Sequence, residues 1–277
     1  MSAKTIDREQ IKPSKLDLFL TYLLALVPMG LLAGSFFADL FVSFSGIIFL
    51  FIILKKKEYK YINNTFFKVF LFFYIYLIFN SLISEDKIHS LKSSLFYFRF
   101  GIFSLAVWYA IENNKNFIKL FFYFLSFAFI IALFSGYYQF FFDKNIFGEI
   151  TKSNRLLLLL SDNATLGNWL SRLFPLLLGL ILINLKTKYV NYIVLFLFFI
   201  TVDLLIYISG ERTALGLLLL STTFIILLIN KFKLFRLITF IISIILIVFI
   251  TTVDQEIKER NIDKTIQQLG LGKSNEI

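Results

Sequence analysis

Apolar runs close to twenty residues long recur along this chain, and no other feature restricts its fold as tightly. They fall at 16–34, 36–54, 65–84, 92–111, 117–141, 166–185, 189–209, 213–230 and 234–253. A helix of about 20 residues spans the ~30 Å hydrocarbon core of a bilayer. Backbone groups in lipid must be satisfied within the segment, and these runs lack the two-residue alternation of barrel strands, so helices are expected. With 58% hydrophobic residues and a mean hydropathy of +0.80, the chain carries more apolar surface than a soluble core could hide. The expected fold is all-α, a polytopic transmembrane helical bundle of about nine spans. We expect a single membrane domain over 1–277, with an inner segment at 1–15, transmembrane helices over 16–253 and an outer tail at 254–277.

Composition removes several functions. The absence of cysteine excludes disulfides, thiolate metal sites and a cysteine nucleophile, and the lone His89 excludes a histidine-rich metal centre, so no metal and no cofactor is expected. Phenylalanine occurs 37 times, so a stripe of it reads as lipid-facing or core packing. A net charge of +10 could suggest nucleic acid, but the cations are short clusters between apolar runs, and none is expected as a partner. The membrane lipid is the expected surrounding.

The clusters occupy alternate connections: Lys4, Arg8, Lys12 and Lys15; Lys55, Lys56, Lys57, Lys60 and Lys68; Lys115 and Lys119; Lys186 and Lys188; Lys231, Lys233 and Arg236. The positive-inside rule places them, and the N-terminus, in the cytoplasm. The first run is not followed by a small-residue cleavage site and reads as a retained helix. The outer side then receives Gly34, the turn at 84–87, a longer loop near 142–165, the turn Ser209-Gly210-Glu211-Arg212 and the tail, whose isoleucines have an amphipathic spacing.

The inner clusters are nearly all lysine, whereas Arg99, Arg155, Arg172 and Arg212 sit in or near the outer halves of helices. A guanidinium stays charged and grips phosphate oxygens as a planar fork, while an ammonium acts as a point charge, so this partition suits an outward-facing phosphate pocket. Arg99 lies two helical turns beyond Lys92, inside the apolar slab, where an arginine costs about 3 kcal/mol and needs a carboxylate, a watery cavity or an anion. Snorkelling or pairing with an acid is its plain structural alternative. Arg172 follows Asn168 and Trp169 by one turn, and Pro175 frees a backbone carbonyl there; an interfacial anchor formed with Trp169 is the alternative. Arg212 lies at the mouth of a helix pair beside amides available to an anion, and Arg155 stands in the longer loop.

Acids that could serve as a general base are Asp39, Glu85, Asp86, Asp143, Asp162 and Glu211 on the outer side, with Asp203 about two turns below the outer end of its helix. Asp203 and Glu211 are the leading candidates. A buried Asp203 needs a partner whatever the function, and Arg99 or Arg172 could supply it. Glu85 and Asp86 read as a solvated turn, and His89 as an interfacial polar residue. The sequence has no glycine-rich phosphate loop, zinc-ligand spacing or serine-nucleophile elbow. Matched glycine- or proline-broken helices of an inverted-repeat transporter are also missing.

SNRLLLLLSDNATLGNWLSRLFPLLLGL, then a cytoplasmic turn, one span and ISGERTALGLLLL, resembles the O-antigen ligase and O-antigen polymerase (Wzy-type) superfamily. LALVPMGLLAGSFFADLFVSFSGIIFL and LFYFRFGIF are also similar to such proteins, so the likeness covers most of the chain. The resemblance implies a GT-C-like membrane glycosyltransferase architecture in the bacterial inner membrane, and metal-independent glycosyl transfer at the periplasmic face for lipopolysaccharide or polysaccharide biosynthesis. The implied donor is a polyprenyl-pyrophosphate-linked glycan, and the acceptor a glycan or lipid A-core. It gives Arg155, Arg172 and Arg212, and less firmly Arg99, the role of holding the donor pyrophosphate; we ourselves read Glu211 or Asp203 as the acid that orients them. In that family a large periplasmic loop bearing a histidine and further spans follow, so the tail is expected to open such a loop. Where relatives have a Gly-Phe-type element, this chain reads LLLLLSDNAT. A transporter or flippase of an anionic lipid-linked substrate, with the same arginines along its path, and an inactive fragment are the alternative readings.

Overall fold

The computed structural model describes residues 14–148, 155–160, 164–184, 192–263 and 266–267, excepting the side chains at 231, 256 and 260. These residues form helices and no strand. The helices are α1 (Lys15–Ala25), α2 (Val27–Ala33), α3 (Ser35–Lys56), α4 (Thr65–Ile83), α5 (Lys87–Phe96), α6 (Phe98–Asn113) and α7 (Phe117–Phe142), followed by α8 (Leu166–Asn184), α9 (Tyr192–Ile208), α10 (Arg212–Leu228), α11 (Lys233–Val253) and α12 (Gln255–Lys258).

Each predicted apolar run is helical over most of its described residues. Among the described residues, six helices are long and apolar enough to cross a bilayer: α3, α4, α5 with α6 taken as one, α7, α8 and α11. A seventh span exists if α1 and α2, bent at their junction, count together. The chain is therefore a polytopic all-α membrane-spanning protein. Over their described residues, α9 and α10 are apolar and 17 residues each, the lower edge of what a bilayer requires. Lipid is the natural solvent for side chains such as Phe72 of α4, which is 77% exposed.

Local chemistry explains where the helices start and break. Ser14 and Asp17 form a capping box on α1, Asn64 accepts from the Phe67 N–H at 2.8 Å to cap α4, and Asp86 accepts from the His89 N–H at 3.1 Å to cap α5. Pro28 has no N–H to donate to Leu24, which favours the break between α1 and α2.

The chain divides into two compact units. Unit 1 comprises residues up to Val27 and Phe36–Phe121. Its core joins Leu20 and Leu24 of α1 with Phe49 and Ile53 of α3 and Leu105 and Tyr109 of α6. One end is closed by polar groups: Asp17 accepts from Lys56 at 2.8 Å and from the Tyr109 hydroxyl at 2.8 Å, while the Tyr61 hydroxyl donates to Glu112 at 2.8 Å. These bonds satisfy groups that would otherwise be costly to bury. Burial, with the bond to Glu112, raises the Tyr61 hydroxyl above its usual range.

Unit 2 comprises Pro28–Ser35 and the chain from Phe122. Here α8 lies along α10 and α9 along α11, with α8 against α9 and α10 against α11. The segment preceding α8 is held in place by two partners. Leu159 and Leu160 donate N–H bonds to Leu32 and Ala33 at 3.0 and 3.1 Å, and the buried Gln139 of α7 both accepts from and donates to Leu157. Arg155 is thereby anchored to unit 2 through its own loop.

Candidate functional site

The turn between α9 and α10 builds the site around one carboxylate. Gly210 adopts a positive φ of 72°, a conformation that favours glycine, and the reversal it makes delivers Glu211 to the first turn of α8. Glu211 accepts the Gly167 N–H at 2.7 Å and the Asn168 N–H at 3.2 Å, and also the Asn168 side-chain amide. Those N–H groups lack intrahelical partners at a helix start, and a carboxylate there also meets the positive end of the helix dipole. Glu211 is therefore a cap on α8 supplied from 43 residues further along the chain.

Two further residues make the cap possible. Gly167 packs so closely on the turn that a Cβ there would overlap the Ser209 hydroxyl and stand 3.1 Å from Glu211 Oε1. Asn168 links both helices, its carbonyl oxygen accepting from the Thr213 hydroxyl at 3.0 Å while its amide donates to Glu211.

The electrostatics gather the arginines predicted for this end. Burial pushes the Glu211 carboxyl above the usual glutamate range, against the Gly167 and Asn168 N–H bonds and the charges of Arg155 and Arg172, which pull it down. Arg155 and Arg172 thus both lie within the field of Glu211. Arg212, exposed, is the first residue of α10 and follows Glu211 directly. Glu211 itself is 4% exposed.

From Arg172 a groove of about 480 Å³ runs between α8 and α10. Pro175, Leu178 and Gly179 form one side, and Leu217, Leu220 and Phe224 the other. Among the described residues that line it, Ser171, Arg172 and Ser221 are the polar ones, so a cation stands at the end nearer the Glu211 cap and the other lining side chains are apolar. Arg172 is exposed, and Pro175 frees the Ser171 carbonyl beside it because it lacks the N–H that carbonyl would accept.

Asp203 has a different partner from those expected. Rather than Arg99 or Arg172, the fully buried Arg236 of α11 holds it in a two-pronged bridge of 2.8 and 2.9 Å. Arg236 also donates to Thr222 of α10 at 2.6 Å, and Ser243 donates to Asp203 at 2.9 Å. Its guanidinium lies 5.2 Å from the Phe174 ring and 5.1 Å from that of Phe199. Arg236 is consequently not part of a solvated cationic cluster with Lys231 and Lys233: it lies one turn inside α11, where only pairing makes its charge tolerable. With no exposed surface and both oxygens engaged, Asp203 offers no approach to an acceptor hydroxyl in this arrangement.

Arg99 belongs to unit 1, where it pairs with Asp39 of α3 at 2.7 Å. That contact is the acid pairing expected of an intramembrane arginine. Glu85, Asp86 and His89 are exposed around the start of α5, and Asp143 is exposed just after α7. Asp162, Lys186 and Lys188 lie outside the described residues. Among the described residues no three His, Asp or Glu side chains form a group that could hold a metal ion.

The sequence pointed to Arg155, Arg172 and Glu211, and the geometry draws them into one electrostatic neighbourhood. It gave no sign of Gly167 or Asn168 as the receiving half of the cap. Arg236 had a readable signal, since Arg236, Thr239 and Ser243 recur at helical spacing on an otherwise apolar α11. No protein family model, curated protein or solved structure matches the chain.

Proposed function

We propose that this chain is a glycosyltransferase of the O-antigen ligase or polymerase type, acting at the periplasmic face of a bacterial inner membrane on a polyprenyl-pyrophosphate-linked glycan. The observation that carries this reading is the groove between α8 and α10, which is hydrocarbon along its length and has Arg172 at one end. An amphiphile with an anionic head and an apolar chain matches that distribution. The pyrophosphate meets Arg172, with Arg155 and Arg212 near the same end, and the isoprenoid chain follows the groove.

In the transfer, the acceptor hydroxyl of a glycan or lipid A-core forms the new bond to the anomeric carbon as the bond from that carbon to the pyrophosphate oxygen breaks. The pyrophosphate takes the electron pair, and the hydroxyl proton passes to a base. Preorganised guanidinium groups stabilise the charge that develops on the leaving group. The same arginines in a transporter or flippase of an anionic lipid would be expected at several depths of a cavity. Among the described residues that line this groove, Arg172 at one end is the single charged one.

Arg172→Ala and Arg212→Ala, each introduced into the full-length gene, are expected to abolish the surface-polysaccharide ladder on a gel while protein levels stay normal. An unchanged ladder at normal protein level contradicts the proposal.

A further inference from the structure

Glu211 looks from sequence like a candidate base, yet its carboxylate is committed. One oxygen receives the Gly167 N–H at 2.7 Å, the other receives the Asn168 N–H at 3.2 Å and the Asn168 amide, and the residue is almost fully buried. Among the described residues, the charges that act on it are those of Arg155, from the loop before α8, and Arg172 of α8, and Arg212 follows it directly on α10. A buried carboxylate in such a position neutralises part of the field an incoming anion would feel. We infer that Glu211 is the resident counter-anion of this arginine cluster, fixing the first turn of α8, and with it Arg172, while limiting how tightly the arginines hold a diphosphate.

This rests on the proposed anion site and adds a control on its strength. Glu211 is a positioning residue, because it acts through Arg172 and Arg155. The sign of its pH dependence follows from burial. A carboxyl held above the usual glutamate range takes up its proton at a higher pH than an ordinary glutamate. Anion binding is therefore tightest below that raised value and weakens as pH rises through it. The arginines keep their charge throughout.

Methanedisulfonate tests this, since it carries two fixed negative charges in a diphosphate-like spacing and does not titrate in the relevant range. Its affinity for the full chain in nanodiscs is measured between about pH 8 and about pH 5 for wild type, Glu211→Gln and Arg172→Ala. Glutamine removes the charge and keeps one of the two acceptor oxygens, while its NH2 group replaces the other and meets N–H donors of Gly167 or Asn168. Glu211→Gln is expected to bind roughly threefold to tenfold tighter at the higher pH and to lose the pH dependence seen in wild type. Should Glu211→Gln not fold, the wild-type profile alone decides: affinity that stays flat or falls towards low pH overturns the inference. If Arg172→Ala loses binding while Glu211→Gln matches wild type at every pH, the counter-anion role is wrong and the anion site stands. Binding by neither wild type nor Glu211→Gln, or binding indifferent to Arg172→Ala, overturns both.

Discussion

At position 167 a hydrogen in place of a side chain lets the first turn of α8 rest on Ser209 and Glu211. Gly167→Ala forces the Ser209 hydroxyl aside and is expected to destabilise the protein by about 1–3 kcal/mol, read as thermal unfolding in detergent. Adding Ser209→Gly should return most of that loss, because it removes the atoms nearest the new methyl group. Neither Gly167 nor Asn168 could be chosen from sequence, since the cap depends on a carboxylate more than forty residues away and on a turn whose path only the fold defines. Arg172 could be chosen, because a guanidinium within an apolar helix is conspicuous wherever its partner lies.

The helices themselves were readable because apolar length is local information, and every predicted run holds helix. What the runs concealed was continuity. α5 and α6 meet at Tyr97 within one apolar stretch, and α1 and α2 break at Leu26 within another. Partners across helices were concealed as well, and Asp203 with Arg236 is the clearest case. Asp203→Asn or Arg236→Met alone leaves a buried charge without its counterpart and is expected to cost about 3–5 kcal/mol. Asp203→Leu with Arg236→Met removes both charges and should restore much of the stability, measured by thermal unfolding of the purified variants. The groove allows a separate test of function. A Cβ at Gly179 meets nothing within 4 Å, so Gly179→Leu projects into open space. Transfer activity should fall severalfold while thermal stability is unchanged or slightly higher, since leucine favours helix over glycine by up to ~1 kcal/mol.

For the whole molecule, the proposed orientation keeps the lysine clusters inside after Arg236 is removed from their number, because Lys55, Lys56, Lys57, Lys60, Lys115 and Lys119 still share one set of connections. The chain has no cysteine, so single cysteines report sidedness without a background. A cysteine at Glu85 should react with an impermeant maleimide applied to spheroplasts, and one at Lys57 should react only after the membrane is opened. If Arg172 seats a lipid-linked pyrophosphate against the groove of unit 2, the affinity of a polyprenyl pyrophosphate for the full chain in nanodiscs depends on that side chain, whereas the affinity of the matching polyprenol does not. A charge-assisted guanidinium–phosphate contact contributes about 1.5–3 kcal/mol, so Arg172→Ala should weaken binding roughly tenfold to a hundredfold while polyprenol binding is unaltered. Equal affinity of wild type and Arg172→Ala for the pyrophosphate would contradict the account.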